Sequence, residues 1–266
     1  MNVPLTTPET VGATPSFKLS AEGRTRLLSL PGEPLFLADW RRALFLHYEV
    51  DAAQLERAVP FELDLWQGRA YLSLVAFTMC GMRPRRGGRL AAWLCRPIAT
   101  HSFLNARTYV RNGAERGIYF ITEWLPNRLS VALGPPVYGL PYRPARLDYR
   151  HTHESGGLAG RVAAAGHGQF VYAGRLADGL SPGPCAPDSR DEFLLERYTA
   201  YTGHGARRRT FRVWHPPWPQ TRAEMDVTDH TLLTQAWPWF ATARYVGANY
   251  SPGLPDVWMG RSRKVI

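Results

Sequence analysis

Apolar and polar residues alternate along this chain at period 2 far more than at 3.6. A chain so patterned satisfies its backbone by pairing segments into sheet. The cleanest run is Ser102 to Arg111, where Phe103, Asn105, Arg107, Tyr109 and Arg111 share one face and Leu104, Ala106, Thr108 and Val110 the other. Asn112-Gly113 opens a turn, and Gly117 to Trp124 returns as a strand. Arg42 to Val50 sets Leu44, Leu46 and Tyr48 against Phe45, His47 and Glu49. Glu62 to Trp66 and Arg69 to Met79 flank Gln67-Gly68, a hairpin signal. Further strands are expected at Tyr142 to His153, Gly160 to Ala165, Gly168 to Leu176, Arg208 to Trp214, Ala223 to Leu233 and Asp256 to Met259.

Helices are few and short. Asp51-Ala-Ala-Gln54 and Ser189-Arg-Asp-Glu192 are capping-box patterns, the first helix ending at Pro60. Pro126 to Val137 reads as a third, its end broken by Pro135 and Pro136. Arg83 to Gly88 reads as a basic loop and Pro182 to Pro187 as a surface loop. Many strands, few helices and no βαβ rhythm predict an α+β, mainly β chain with a mixed or closed antiparallel sheet.

With 266 residues the chain can bury a large core without disulfide or metal staples. Cys80, Cys95 and Cys185 are odd in number, scattered and without CxxC spacing, which fits reduced thiols. Residues 1–16, rich in Thr and Pro, lack the features of a signal peptide and are expected to be a disordered tail. Residues 17–266 are expected to form one domain. No apolar run approaches the ~18 residues of a membrane span, so cytoplasmic localisation with no membrane partner is expected.

Two of the 32 basic residues are lysines, Lys18 and Lys264, both near the chain ends. Arginines cluster at Arg83/Arg85/Arg86, Arg207 to Arg209 and Arg261/Arg263. Such clusters can meet phosphate backbones, but no nucleic-acid-binding signature accompanies them, so a solvated surface and no specific nucleic-acid partner are expected.

Several segments together resemble one family. Trp40 with Leu44-Phe-Leu-His-Tyr-Glu-Val50 is similar to the opening signature of the YqjF-like family, the bacterial domain of unknown function DUF2071. Asn105-Ala-Arg-Thr-Tyr-Val110 and Gly117-Ile-Tyr-Phe120 resemble its central strands. Tyr138-Gly-Leu-Pro-Tyr142, Glu196-Arg-Tyr198 with Tyr201, His215-Pro-Pro-Trp-Pro219 and Tyr250-Ser-Pro-Gly253 follow in the family's order. The resemblance implies an acetoacetate decarboxylase-like fold: a β-barrel or antiparallel sheet core with a central cavity and short flanking helices. That superfamily's known enzymes act on small oxo acids, and its decarboxylases use a lysine amine with a depressed pKa. Here no lysine lies between residues 19 and 263, so iminium chemistry on a buried lysine is excluded.

Arg107 heads the candidates for substrate binding. Its planar fork fits a carboxylate, and Asn105 and Tyr109 share its face. The bland alternative is a surface arginine paired with Glu123. Glu123 and Tyr119 lie on the returning strand, and register decides what they meet. A two-residue Asn112-Gly113 turn pairs Arg107 with Ile118 and sends Glu123 to the opposite face. A five-residue loop pairs Asn105 with Glu123 and Tyr109 with Tyr119, letting Glu123 act as acid or base beside Arg107. His47, in an apolar strand, is either a general base or a core histidine. His215, among prolines and tryptophans, either caps a pocket mouth or packs a corner. Glu196 pairs with Arg107 or with the neighbours of Arg197, and Tyr138 and Tyr142 line a cavity or the core. His151 and His153 share a strand face, but two ligands do not make a metal site. No GxSxG, P-loop, HExxH or GxGxxG motif occurs, and no cofactor is expected.

Three functions remain open on these residues. The first is an enzyme on a small oxo acid or enolisable carboxylate, of isomerase, hydratase or cyclase type, with Glu123 or His47 moving a proton. The second is a non-catalytic module that binds or senses a small apolar acid. The third is an Arg-rich scaffold for acidic partners. A pKa poised near neutrality for Glu123 or His47 separates the first from the second.

Overall fold

The computed structural model describes residues 15–152, 156–177, 181–204 and 207–265. Helix α1 (Pro15–Leu28) precedes β1 (Phe36–Val50), α2 (Ala52–Ala58), β2 (Glu62–Leu63), β3 (Ala70–Pro84) and α3 (Gly88–Cys95). Next come β4 (His101–Asn112), β5 (Glu115–Leu125), α4 (Arg128–Tyr138), β6 (Tyr142–Pro144), β7 (Arg146–Thr152), β8 (Gly157–Ala163) and β9 (Gln169–Leu176). The chain continues through α5 (Arg190–Leu195), β10 (Thr199–His204), β11 (Arg207–Trp214), β12 (Thr221–Asp229), α6 (Thr231–Ala236), β13 (Arg244–Met259) and β14 (Arg263–Lys264).

The strands form one sheet in the order β14-β11-β10-β5-β4-β3-β1-β13-β12-β9-β8-β7. Its neighbours pair antiparallel except β10 on β5, and β6 joins the outer side of β5 in parallel. Val213 and Trp214 of β11 also pair with Met259 and Trp258 of β13, so β11, β10, β5, β4, β3, β1 and β13 make a closed ring of strands. Ring closure requires strong local bending. Arg42 sits at φ 55° inside the Arg41/Leu44 register shift between β1 and β3, one of four shifts along β1.

Alternation then divides the apolar residues. Ala43, Phe45, Val75, Phe77, Phe103, Phe120 and Phe211 face the inside of the ring and form one core. Leu44, Leu46, Leu72, Leu74, Leu104 and Trp124 face outward, where Leu158, Val162, Phe170, Tyr172, Leu232 and Phe240 cover them as a second core. No described helix is long and apolar enough to cross a membrane.

Local signals in the sequence were obeyed where they were local. Asp51 and Ser189 cap α2 and α5, accepting from the backbone N–H of Gln54 and Glu192. Gln67 and Gly68 both take positive φ between bridged Trp66 and Arg69, as a two-residue I′ hairpin demands. Four expectations need correction. Pro15 and Ser16 belong to α1, and Ser16 is buried, donating to Glu192; residues 1–14 of the expected tail lie outside the described residues. Pro135 and Pro136 sit inside α4, which ends instead at left-handed Gly139. Thr231 to Ala236 is helical rather than the end of a strand. The basic loop ends where expected, at Gly88, but helix α3 follows it, an element that the sequence pattern did not predict.

Candidate functional site

The hairpin of β4 and β5 builds the site, and it adopts neither expected register along its whole length. The turn is Gly113-Ala114, with Gly113 at φ 59° in the position a II′ turn gives to glycine. Near the turn Tyr109 pairs with Ile118 and Arg107 with Phe120; beyond it Ala106 pairs with Thr122 and Asn105 with Glu123. Ile121 is the extra residue, a β-bulge. The bulge reverses the parity of β5. Ile118, Phe120 and Glu123 therefore all face inward with Asn105, Arg107 and Tyr109, while Tyr119 faces outward against Phe61, ring centroids 5.7 Å apart. Tyr119 is thus removed from the candidate site.

Inside the ring lies a cavity of about 320 Å³. Most of its wall is apolar: Phe36, Trp40, Phe45, Phe77, Met79, Phe103, Phe120, Leu140, Phe211 and Val213 among others. Pairing sets the polar residues in rows across the strands. Phe45, Val75, Asn105, Glu123 and Tyr142 form one row, and His47, Ser73, Arg107 and Phe120 the next, about 7 Å along the strands. Six of the sequence candidates line the cavity: Arg107, Asn105, Glu123, Tyr138, Tyr142 and His215.

Several of these polar groups are buried without a partner among the described residues. Arg107 is 7 % exposed, donates one NH2 bond to the Leu194 carbonyl at 3.0 Å, stacks over Phe45, and makes no ion pair. Its Nε, the Asn105 Oδ1, the Glu123 Oε1, the Trp218 indole N–H and both ring nitrogens of His101 have no hydrogen bond. Buried donors and acceptors are nearly always satisfied, so such a cluster around a cavity calls for a bound molecule or ordered water. Burial pushes the Glu123 carboxyl up to about 8, since no cation lies near enough to offset desolvation. Burial lowers His101 and His215 to about 4 each, leaving both neutral at pH 7. The hydroxyl of Tyr142 is held well above its ordinary value by burial and then by Glu123. Tyr138 is committed to the Gly260 carbonyl at 2.9 Å and His215 to that of Pro216 at 2.6 Å.

The remaining candidates stand behind the wall. His47 is 1 % exposed and bonded to Ser73 at 2.7 Å and Asn249 at 3.1 Å; burial, aided by Arg107, lowers it to about 3, so it is neutral and fully engaged. Tyr109 meets Ser73 at 2.5 Å and donates to the Leu194 carbonyl at 3.0 Å, so His47, Ser73, Tyr109 and that carbonyl form a buried chain ending on Arg107. His47 is therefore a supporting group and not the expected base at the cavity. Glu196 forms neither expected ion pair. It accepts from the Tyr198 hydroxyl at 2.5 Å and the Trp218 backbone N–H at 2.9 Å, and burial lifts it to about 7. Arg197 belongs instead to Asp64, at 2.7 Å. His151 is held by the Arg42 carbonyl and Tyr172, and His153 lies outside the described residues. Lys18 and Lys264 are both exposed and away from the cavity wall.

His101 and Trp218 were not singled out from the sequence. His101 shares the parity of Asn105 and Arg107, two positions before Phe103, and that alternation was a usable signal. Trp218 lies within the His215-Pro-Pro-Trp-Pro219 motif, which was the signal that could have found it.

Comparison with known proteins agrees with this architecture. The profile of the DUF2071 family, described as an uncharacterized conserved protein, matches residues 37–254. The uncharacterized protein YqjF of Bacillus subtilis is 28% identical over 195 residues, 73% of this chain and 78% of its own. An acetoacetate decarboxylase from Legionella pneumophila superposes with a TM-score of 0.61 over 91% of this chain and 94% of its own, at 12% identity. The enduracididine biosynthesis enzyme MppR complexed with pyruvate superposes with a TM-score of 0.58 over 89% of this chain and 92% of its own, at 13% identity.

Proposed function

The chain belongs to the DUF2071 family, and from that premise we propose that it is a lysine-independent enzyme acting on a small, largely apolar oxo acid or enolisable carboxylate. The observation that carries this reading is Arg107: a guanidinium buried in an apolar wall, with its Nε unpartnered and no direct ion pair among the described residues, Glu196 being felt only at longer range. A buried charge left unpaired is costly, and an incoming carboxylate supplies both the opposite charge and the acceptors. Phe45 and the Leu194 carbonyl hold the fork in place.

Glu123 favours turnover over mere binding. With its carboxyl raised to about 8, it is protonated at neutral pH yet close enough to titration to give and retake a proton. With the carboxylate on Arg107, a carbonyl or its α-carbon falls toward the row of Asn105 and Glu123. The ionised fraction of Glu123 would take the α-proton, Asn105 would orient the enolate oxygen so formed, Glu123 would return the proton to that oxygen or to carbon, and the apolar wall would exclude water. Isomerase, hydratase or cyclase chemistry begins with that proton movement. The binding of pyruvate by a structural neighbour, MppR, is consistent with an oxo acid here.

The test is thermal stabilisation of wild type, Arg107→Ala and Glu123→Gln by a panel of 2-oxo acids, enoates and aromatic acids. A ligand at a hundred times its Kd adds about 2.7 kcal/mol to stability. The reading expects acids to stabilise wild type and Glu123→Gln but not Arg107→Ala, and solvent deuterium to enter the α-carbon with wild type but not with Glu123→Gln. Equal stabilisation of wild type and Arg107→Ala would remove the carboxylate site; stabilisation without exchange would leave a binding module.

A further inference from the structure

Among the described residues, the cavity wall reaches solvent at Leu133 and Val137 of α4, which are 42% and 50% exposed, so it opens there. The surface around that opening is unusual in composition. In α3, Leu90, Trp93 and Leu94 are 68%, 60% and 63% exposed, and no residue of the helix is buried. Their i, i+3, i+4 spacing makes one apolar face, turned outward rather than toward a core. In α4, Leu129, Leu133 and Val137 make a second outward stripe at i, i+4, i+8. The turn Arg96–Ile98 leads from α3 into β4 and packs beside α4, where Asn127 at the start of that helix donates to the Pro97 carbonyl at 2.6 Å.

Charge at this face has one sign. Arg86, Arg89, Arg96 and Arg128 are exposed and make no ion pair among the described residues. Residues 81–100 and 126–147 contain no Asp or Glu. Two copies meeting through this face about a two-fold axis would set arginine against arginine, so its own charge opposes self-docking. An outward face of Leu and Trp ringed by arginine suits a surface that is apolar within and anionic at its boundary.

We propose that α3, the turn after it and α4 dock the protein on an anionic phospholipid surface, with the cavity mouth turned toward the lipid. Leu90, Trp93 and Leu94 enter the acyl boundary while Arg89, Arg96 and Arg128 meet the headgroup phosphates. The chain lies on such a surface and does not cross it. This departs from the expectation of no membrane partner, which rested on spanning segments. It stands independently of any chemistry at Arg107, whose side chain is inside the ring.

The experiment is flotation of the full chain with vesicles of phosphatidylcholine alone and of phosphatidylcholine with phosphatidylglycerol. Sedimentation velocity of the same samples without lipid runs alongside. Wild type is expected to float with the anionic vesicles, less so at high salt. Arg89→Glu/Arg96→Glu/Arg128→Glu is expected to bind roughly a hundredfold more weakly. Leu90→Ser/Trp93→Ser/Leu94→Ser is expected to lose binding at high salt first. All replaced side chains are exposed, so melting curves should match wild type. Failure to float with anionic vesicles, or equal flotation by both variants, overturns the proposal. So does a dimer of wild type that the serine variant dissolves, which would assign the face to a second copy.

Discussion

Replacing Glu123 by Gln keeps the size of the side chain and removes its titration, so the pair isolates one ionisable group. In the unfolded chain the carboxyl ionises near 4.5, and in the fold near 8. Between these values the unfolded state releases a proton that the folded state keeps. Stability contributed by the neutral carboxyl is therefore fully present below pH 4.5 and is lost as pH rises toward 8. A shift of this size corresponds to about 4 kcal/mol lost between pH 5 and pH 9, at ~1.4 kcal/mol for each unit. For a chain of this length about 2 °C accompanies each kcal/mol, so the Tm of wild type should fall by roughly 8 °C more than that of Glu123→Gln over this range. Both proteins carry the same histidines and every other carboxylate, so those contributions cancel in the difference. Calorimetry or fluorescence-detected melting at five or six pH values suffices. Parallel Tm curves for the two proteins would mean that Glu123 ionises normally in the fold, and the proton-shuttle argument would fail with it.

Acid should unfold the protein through its buried neutral histidines. His47, lowered to about 3 by burial and Arg107, contributes stability that is lost as pH falls from 6.5 toward 3; denaturant melts of His47→Gln should show a shallower loss over that window. Asp64 is 2% exposed and holds buried Arg197, so Asp64→Ala should cost about 3–5 kcal/mol by leaving that guanidinium unpaired, measured by urea unfolding. Gly253 lies at φ 120° with the Trp40 carbonyl 2.2 Å from where a Cβ would be, so Gly253→Ala should lower Tm and perturb the β1–β13 pairing, read by amide exchange at Trp40 and Arg41.

The sequence by itself determined the strand faces, the caps and one exclusion of chemistry. Alternation put Asn105, Arg107 and Tyr109 on one side of β4, because side-chain direction in a strand follows residue parity alone. Asp51 and Ser189 named their helix starts through bonds spanning three residues. The absence of lysine from residues 19–263 left no lysine in that span to form an iminium, before any fold was known. Tertiary structure decided what those faces meet. Glu123 joins Arg107 because Ile121 bulges, and the bulge falls between the part of β5 that pairs with β10 and the part that pairs with β6. The same bulge turned Tyr119 away, which no parity count along an unbroken strand can foresee. His47 and Tyr109 lie on the right face yet behind the wall, since Ser73 and Leu194, far away in sequence, occupy their polar atoms. Exposure of α3 is likewise non-local: its apolar residues mark a helix face, and only the arrangement of the other strands and helices left that face without a core to cover it.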